Sequence, residues 1–278
     1  IHYTGNYLRL SDFKGGMDVQ RQKVLEAQET EKCAYRFSAR QDNFEKIPGA
    51  PVAYWMSEKV GDIFINTTAL GKTGQTTKGL ITGDNNRFMR LWWEIQRFDI
   101  RFDVRNNDEA KASGAKWFPC NKGGDYRKWY GNQEYIINWK DDGKEILKDA
   151  EKDKRHSQDY YTRLKFKPSI SWSSISSNKP SFRYRNNELI DHAGMAFVPD
   201  EEEKIYYDLG FMNSIVSEKM LQILSPTINY NAGEIGSLPI DFNDNNESND
   251  RTKIAIGISK EDWDSFETSW GFKKHPLI

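Results

Sequence analysis

The sequence predicts an α+β fold: a mixed, mostly antiparallel twisted sheet with packed helices, and helical segments at both ends. Strand-like and helix-like runs follow one another without regular alternation, which argues against a doubly wound sheet. The longest apolar-periodic run, Ile205 to Leu224, is helical and stands late in the chain. No Gly-x-Gly occurs anywhere, whereas a dinucleotide or S-adenosylmethionine site of the common kind wants closely spaced glycines after a strand.

Each element has its own signal. From Met17 to about Glu31 good helix formers run with few breakers, and Val24 and Ala27 lie three apart. Ile47-Pro48-Gly49-Ala50-Pro51 reads as extended, because a proline disfavours helical geometry in the residue before it. Val52 to Met56 then predicts a strand, and Gly61 to Ile65 a second, shorter one. Gly- and Thr-rich sequence from Leu70 to Asp84 precedes a helix starting near Asn85. There Phe88, Leu91, Trp92 and Ile95 fall at i, i+3, i+4 and i+7, an apolar stripe that assigns Trp92 and Trp93 to the core.

Ile100 to Val104 alternates as a strand should. Glu134 to Trp139, Ser169 to Trp172 and Ser181 to Arg185 are β-like, and Lys140 to His156 is a charged, exposed helical segment. Tyr206, Leu209, Met212, Ile215, Val216, Met220, Ile223 and Leu224 make Ile205 to Leu224 one buried helix stopped by Pro226. Asn243 to Asp250 lacks apolar residues and reads as a linker. Ser259 and Asp262 then form a capping box for a last helix carrying Trp263, Phe266 and Trp270.

The 278 residues suffice for one large or two modest domains, and the formal net charge of −1 excludes a protein that simply coats nucleic acid. The charge is unevenly spread. Tyr160 to Ile190 holds six Lys/Arg against one acid, whereas Asp191 to Asp250 holds two Lys against twelve acids. Such polarity steers a polyanion onto one face, although two ordinary solvated loops would look the same. Cys33 and Cys120 are isolated, and His2, His156, His192 and His275 share no ligand spacing, so neither a structural zinc nor any other metal site is predicted. No apolar run reaches a membrane span and no signal peptide is present, which points to the cytoplasm. The chain opens on Ile1 in polar sequence and reads as a piece of a longer polypeptide.

Three stretches could carry chemistry. Trp117 to Asn132, with Lys116 just before it, mixes Lys122, Arg127 and Lys128 with Asn121, Trp129 and Tyr130 around Gly123-Gly124. Cations neutralise phosphates, planar rings stack on bases and amides read base edges. The glycines let backbone approach a partner closely. A Tyr/Trp-rich turn closing a hairpin is the alternative. Gly71 to Phe88 spaces glycines along a loop with Lys72, Thr82, Asn85 and Arg87 before a helix, which suits phosphate, or else is a plain connection with an Asx cap. Ser171 to Arg185 offers small hydroxyls with Lys179, Arg183 and Arg185, the last two alternating onto one strand face; a solvated hairpin would also fit. Pro199-Asp200 with Glu202-Glu203-Lys204 mimics a nuclease signature, but its acids are too close for the usual strand-separated pair. Nothing supports a Ser/His/Asp or Cys/His nucleophile, and no Pro-Pro-aromatic segment is present to grip a target amine.

Gly79 to Phe88 resembles the GLxTGDNxRF segment of the large adenine-specific DNA methyltransferases of the BREX phage-defence system, the PglX-like family. Trp117 to Asn132 is similar to that family's WFPYNKGGxxRKWYGN block, departing at Cys120, where an aromatic is usual. Tyr135 to Trp139 with Asp142-Gly143, Ile170-Ser171-Trp172, Ile175-Ser176-Ser177, Pro226 to Ile240 and Glu261 to Trp270 also match, in the right order along essentially the whole chain. The resemblance implies an S-adenosylmethionine-binding catalytic half upstream and a DNA target-recognition part here. It implies residues 1–46 as a helical exit from that catalytic domain, 47–242 as the recognition domain, and 243–278 as linker and C-terminal helix. No catalytic, cofactor or metal residue carries over, so this part is expected to lack transferase activity alone. Double-stranded DNA, the upstream methyltransferase domain and other defence-system subunits are the implied partners. A protein-interaction module that docks such a subunit or an inhibitor is the rival reading.

Overall fold

The computed structural model describes residues 3–30, 32–152, 164–176, 179–242, 246–275 and 277–278. His2, His156, Ser177, Asn178 and the first residues of the expected linker, 243–245, lie outside them. The chain is α+β, as the mixed order of segments predicts, and divides into two compact units, Ile1–Thr68 and Ala69–Ile278.

In the first unit β1 (Thr4–Leu8) pairs antiparallel with β2 (Arg36–Arg40), Gly5 opposite Ala39. The expected helix joins them as α1 (Gly16–Glu29), burying only Ala27. Tyr7 stacks on Tyr54 with ring centroids 4.8 Å apart and packs edge-on against Phe44, making an aromatic centre. Two strand expectations fail here. Val52 to Met56 is a turn closed by Met56 N–H donating to the Ala53 carbonyl. Gly61 to Ile65 lies inside α2 (Glu58–Asn66). A short apolar run carries no period that separates strand from helix.

The second unit follows β3 (Thr68–Ala69) and holds two four-stranded sheets. In one, β4 (Gly74–Thr77), β11 (Ala196–Pro199), β8 (Ser169–Ser171) and β9 (Arg183–Arg185) are neighbours in that order, all antiparallel. In the other, β10 (Leu189–Ile190) runs parallel to β6 (Trp117–Asn121). Next come β7 (Tyr135–Asn138) and β5 (Met89–Leu91), each antiparallel to its neighbour. Phe118, Cys120, Ile137, Leu189 and Ala196 meet Phe88, Met89, Val104, Ala110, Ile146 and Phe166 in the main core.

The helix expected from Asn85 to Ile95 stops after one turn. Asp84 caps α3 (Asn85–Phe88) by accepting from the Arg87 N–H at 3.0 Å, and Met89 then pairs with Ile137 of β7. Pairing on the open edge of β7 satisfies more backbone than a short exposed helix would. Ile100 to Val104 is extended, but only Ile100 bridges to a strand residue, Trp117. A short helix, α4 (Asn107–Ser113), precedes β6, and the charged segment expected from Lys140 forms α5 (Lys140–Lys152), whose Asp141, Asp142 and Gly143 are left-handed.

Ile205 to Leu224 is two helices, α6 (Ile205–Met212) and α7 (Ile215–Leu224). The break has a cause in the sequence. The Asn213 amide donates to the Phe182 carbonyl (2.9 Å) and accepts from the Phe182 N–H (3.1 Å), and Ser214 caps α7. After α8 (Ala232–Gly236) and β12 (Pro239–Ile240), α9 spans Asn246–Asp264. The expected linker is therefore helical from Asn246, and Ser259 lies mid-helix rather than at a cap. Pairs such as Glu247 with Arg251 and Lys260 with Asp264, four apart, support a helix with little apolar surface to bury. Among the described residues no helix is long and apolar enough to cross a membrane.

Candidate nucleic-acid interface

Antiparallel β6 and β7 project the chain between them, residues 122–134, to one end of their sheet, beside the Leu80–Phe88 segment. Leu80 is tied there by its N–H to the Ile190 carbonyl (2.8 Å) and by its carbonyl from the His192 N–H (2.9 Å). Gly79, at φ 74°, passes so close to Ile190 that any Cβ would overlap its carbonyl. The first two sequence stretches thereby meet.

They meet at Lys122. Three adjoining concavities share this half-buried residue. One of about 320 Å³ is lined by Ile81, Thr82, Gly83, Asn85, Asp191 and His192. A second, about 500 Å³, lies over Asn85, Asn86, Arg90, Leu91, Glu94 and Tyr135. The third, about 480 Å³, runs along Gly124, Asp125, Tyr126, Arg127, Asn132 and Trp263. The Lys122 ammonium stands 5.3 Å from the Tyr135 ring centroid and 3.5 Å from the Met89 sulfur, and among the described residues no carboxylate lies within ion-pair distance of it. Burial pushes the Asp191 carboxyl above the usual carboxylate range, and burial with nearby Asp125 does the same to Glu134.

The predicted residues are not all in it. Asn85 and Lys122 line the strip, and Arg127 borders it while bound to Asp262 (2.7 Å) and lying over Trp263. Thr82 lines the first concavity but is almost wholly buried, its hydroxyl donating to the Asn85 side chain at 2.5 Å. Arg87 is exposed but faces Asp149 and Glu145 on α5, and Lys179 pairs with Glu218. Lys72 is exposed on the turn before β4, and Lys116 is exposed with its ammonium over Trp117. Neither lines the strip.

The other six are buried or half-buried. Asn121 is 1% exposed and bonded to Gly194 and Gly123. Lys128 donates to the Asn213 carbonyl at 2.8 Å. Arg183 and Arg185 are 0% and 1% exposed. Their assignment to phosphates is corrected: alternate residues do share a face, but this face is the interior, and the serines read as phosphate ligands are their partners. Burial, then the neighbouring Arg185 charge, pushes the Arg183 guanidinium down to about 9. Tyr130 is half-buried, and burial raises its hydroxyl pKa. Trp129 is half-buried too, its main chain pinned beside β9 by bonds to Phe182 and Tyr184. The close approach that Gly123 permits is to Ala193 of this same chain.

Sequence reasoning missed Arg90, Asn86, Tyr126 and His192. Arg90 looked like a polar position of a longer helix, and His192 carried no local pattern. Only the Leu80–Asp191 bridge, formed across a hundred residues, brings His192 beside Gly83.

The chain is 36% identical over 281 residues to the adenine-specific methyltransferase PglX of Lacticaseibacillus casei (strain Zhang), an alignment covering 99% of this chain and 23% of that protein. It is 38% identical over 242 residues to the adenine-specific methyltransferase BrxX of Escherichia coli O9:H4 (strain HS), 86% of this chain and 19% of that one. The chain thus spans about a quarter or less of the curated relatives it matches. No family model matches it.

Proposed function

We propose that this chain, similar from end to end to one part of the PglX-like adenine-specific methyltransferases, is the DNA target-recognition portion of such an enzyme, acting in phage defence or restriction-modification. What carries the reading is the meeting of its two most family-specific stretches on one concave strip centred on Lys122. A strip of amides, a histidine, tyrosines and cations offers donors to phosphates and to base edges alike. In the intact enzyme it would hold the duplex against a catalytic domain that binds S-adenosylmethionine and receives the target adenine flipped from the stack. The rival protein-docking reading draws less support. Its acidic block is partly internal, with Asp208 buried and Glu218 engaged by Lys179.

Filter binding across a salt series tests the proposal. Lys122→Ala is expected to weaken duplex binding and to reduce the slope of log K against log salt by about one, the loss of one phosphate contact. Lys128→Ala, whose ammonium is committed to Asn213, is expected to leave that slope unchanged. Wild-type chain that retains no duplex at low salt, or an unchanged slope for Lys122→Ala, would sink the assignment.

A further inference from the structure

Behind the strip lies a polar lattice that the recognition reading does not use. The segment from Gly124 to Gln133 has three residues in left-handed or strongly positive-φ geometry within four positions: Trp129 (73°), Gly131 (119°) and Asn132 (57°). A segment so far from regular structure holds one shape only when its surroundings over-determine it. They do, and the ties come from β9 and the serines around it.

Arg183 donates through Nη1 to the Arg127 carbonyl (3.2 Å) and through Nη2 to the Ser173 hydroxyl (3.2 Å). That hydroxyl in turn donates to the Gly124 carbonyl at 2.6 Å. Arg185 donates through Nη2 to the Asn132 carbonyl (3.2 Å) and through Nε to Ser171 (3.0 Å). Its Nη1 lies 3.6 Å from Glu188, whose carboxylate accepts from Gln133 at 2.5 Å. Between these anchors Trp129 is bonded on both sides, to the Phe182 carbonyl and from the Tyr184 N–H. Five points of the segment are thus fastened from the rear, while its outer side lines the third concavity.

We infer that Arg183 and Arg185 are positioning residues for sequence discrimination: they touch no DNA, and they fix the Gly124–Gln133 segment in the single shape its outer face presents. The inference rests on the recognition reading for its consequence, though not for the brace itself. An arginine fork is needed because each guanidinium serves two or three acceptors at fixed angles, which a lysine ammonium cannot reproduce.

The 278-residue chain is the material for the test, with Arg183→Lys, Arg185→Lys, the charge-removing Arg183→Gln and, as a gentler change that keeps both guanidinium groups, Ser173→Ala. Thermal melts establish that each is folded. Amide exchange across 124–133 is expected to accelerate by about tenfold or more, the loss of one charge-assisted bond, with β5 unchanged. Selection from a duplex pool with a randomised centre is expected to lose about tenfold of its enrichment for preferred sequences, at an unchanged salt slope. Exchange at wild-type rates in folded Ser173→Ala and Arg183→Lys overturns the brace. A salt slope reduced by about one in folded Arg183→Gln, which removes the charge, overturns the claim that this side chain stays off the DNA. If wild-type chain binds no duplex, the recognition reading falls, and the exchange arm alone still decides the brace.

Discussion

Asp208→Asn is expected to stabilise the folded chain strongly at pH 8 and hardly at all at pH 4. Asp208 stands in the buried stripe of α6 with Ile205, Leu209 and Met212, and among the described residues neither carboxylate oxygen has a hydrogen-bond partner. Burial raises its pKa from 3.8 to about 7, opposed only in part by Lys204. The folded state therefore holds this proton more tightly than the unfolded chain. The stability that goes with it is complete below about pH 4 and is lost as pH rises through about 7. At ~1.4 kcal/mol per pKa unit the displacement corresponds to about 4 kcal/mol at most. An amide cannot ionise, so the variant escapes the loss. Urea unfolding of both proteins at pH 4, 6 and 8 checks this; a difference that does not grow with pH would contradict it.

The second large effect is expected at Gly79→Ala. Two penalties combine there: a left-handed φ of 74°, and a Cβ that would overlap the carbonyl of Ile190. A backbone atom cannot swing aside as a side-chain tip can. Relief requires parting Leu80 from Ile190 and His192, the bonds that bring the two motif segments together. Gly114→Ala is the control, since its φ of 64° is similar but nothing lies within 4 Å of the added carbon. The control should lose about 1 kcal/mol, the conformational cost alone. Gly79→Ala should lose about 3 kcal/mol or more, in the range of mutations that disrupt packed backbone. Equal losses at the two sites would show that close approach contributes nothing.

Much of the architecture was readable in the chain because it depends on local pattern. Helix formers without breakers marked α1, and alternating or β-branched runs marked β7, β8 and β9. The failures share a cause. Phe88, Leu91, Trp92 and Ile95 have helical spacing, yet the exposed edge of β7 outcompeted a helix, and an edge is a tertiary fact. Ile205 to Leu224 keeps its apolar period from end to end, and only Asn213 reaching across to Phe182 divides it. Asn246 to Asp250 looked like a linker because composition does not register charge pairs four residues apart. Within the candidate site, Asn85 and Lys122 were legible from residue type and motif. Arg183 and Arg185 were misplaced because a charged side chain is ordinarily a surface one. The clue lay in the same stretch: Ser171, Ser173 and Ser181 supply the oxygens that make burial tolerable.

The two cysteines have a practical consequence. Cys120 lies inside the main core, 2% exposed, and burial with nearby Asp191 and Glu188 raises its thiol pKa well above the ordinary value. Cys33, half-exposed, belongs to the other compact unit. The protein therefore carries one built-in chemical clock, Cys120. A thiol reagent reaches Cys33 more readily, whereas its reaction with Cys120 waits for the surrounding sheet to part and so times that event without any label being introduced.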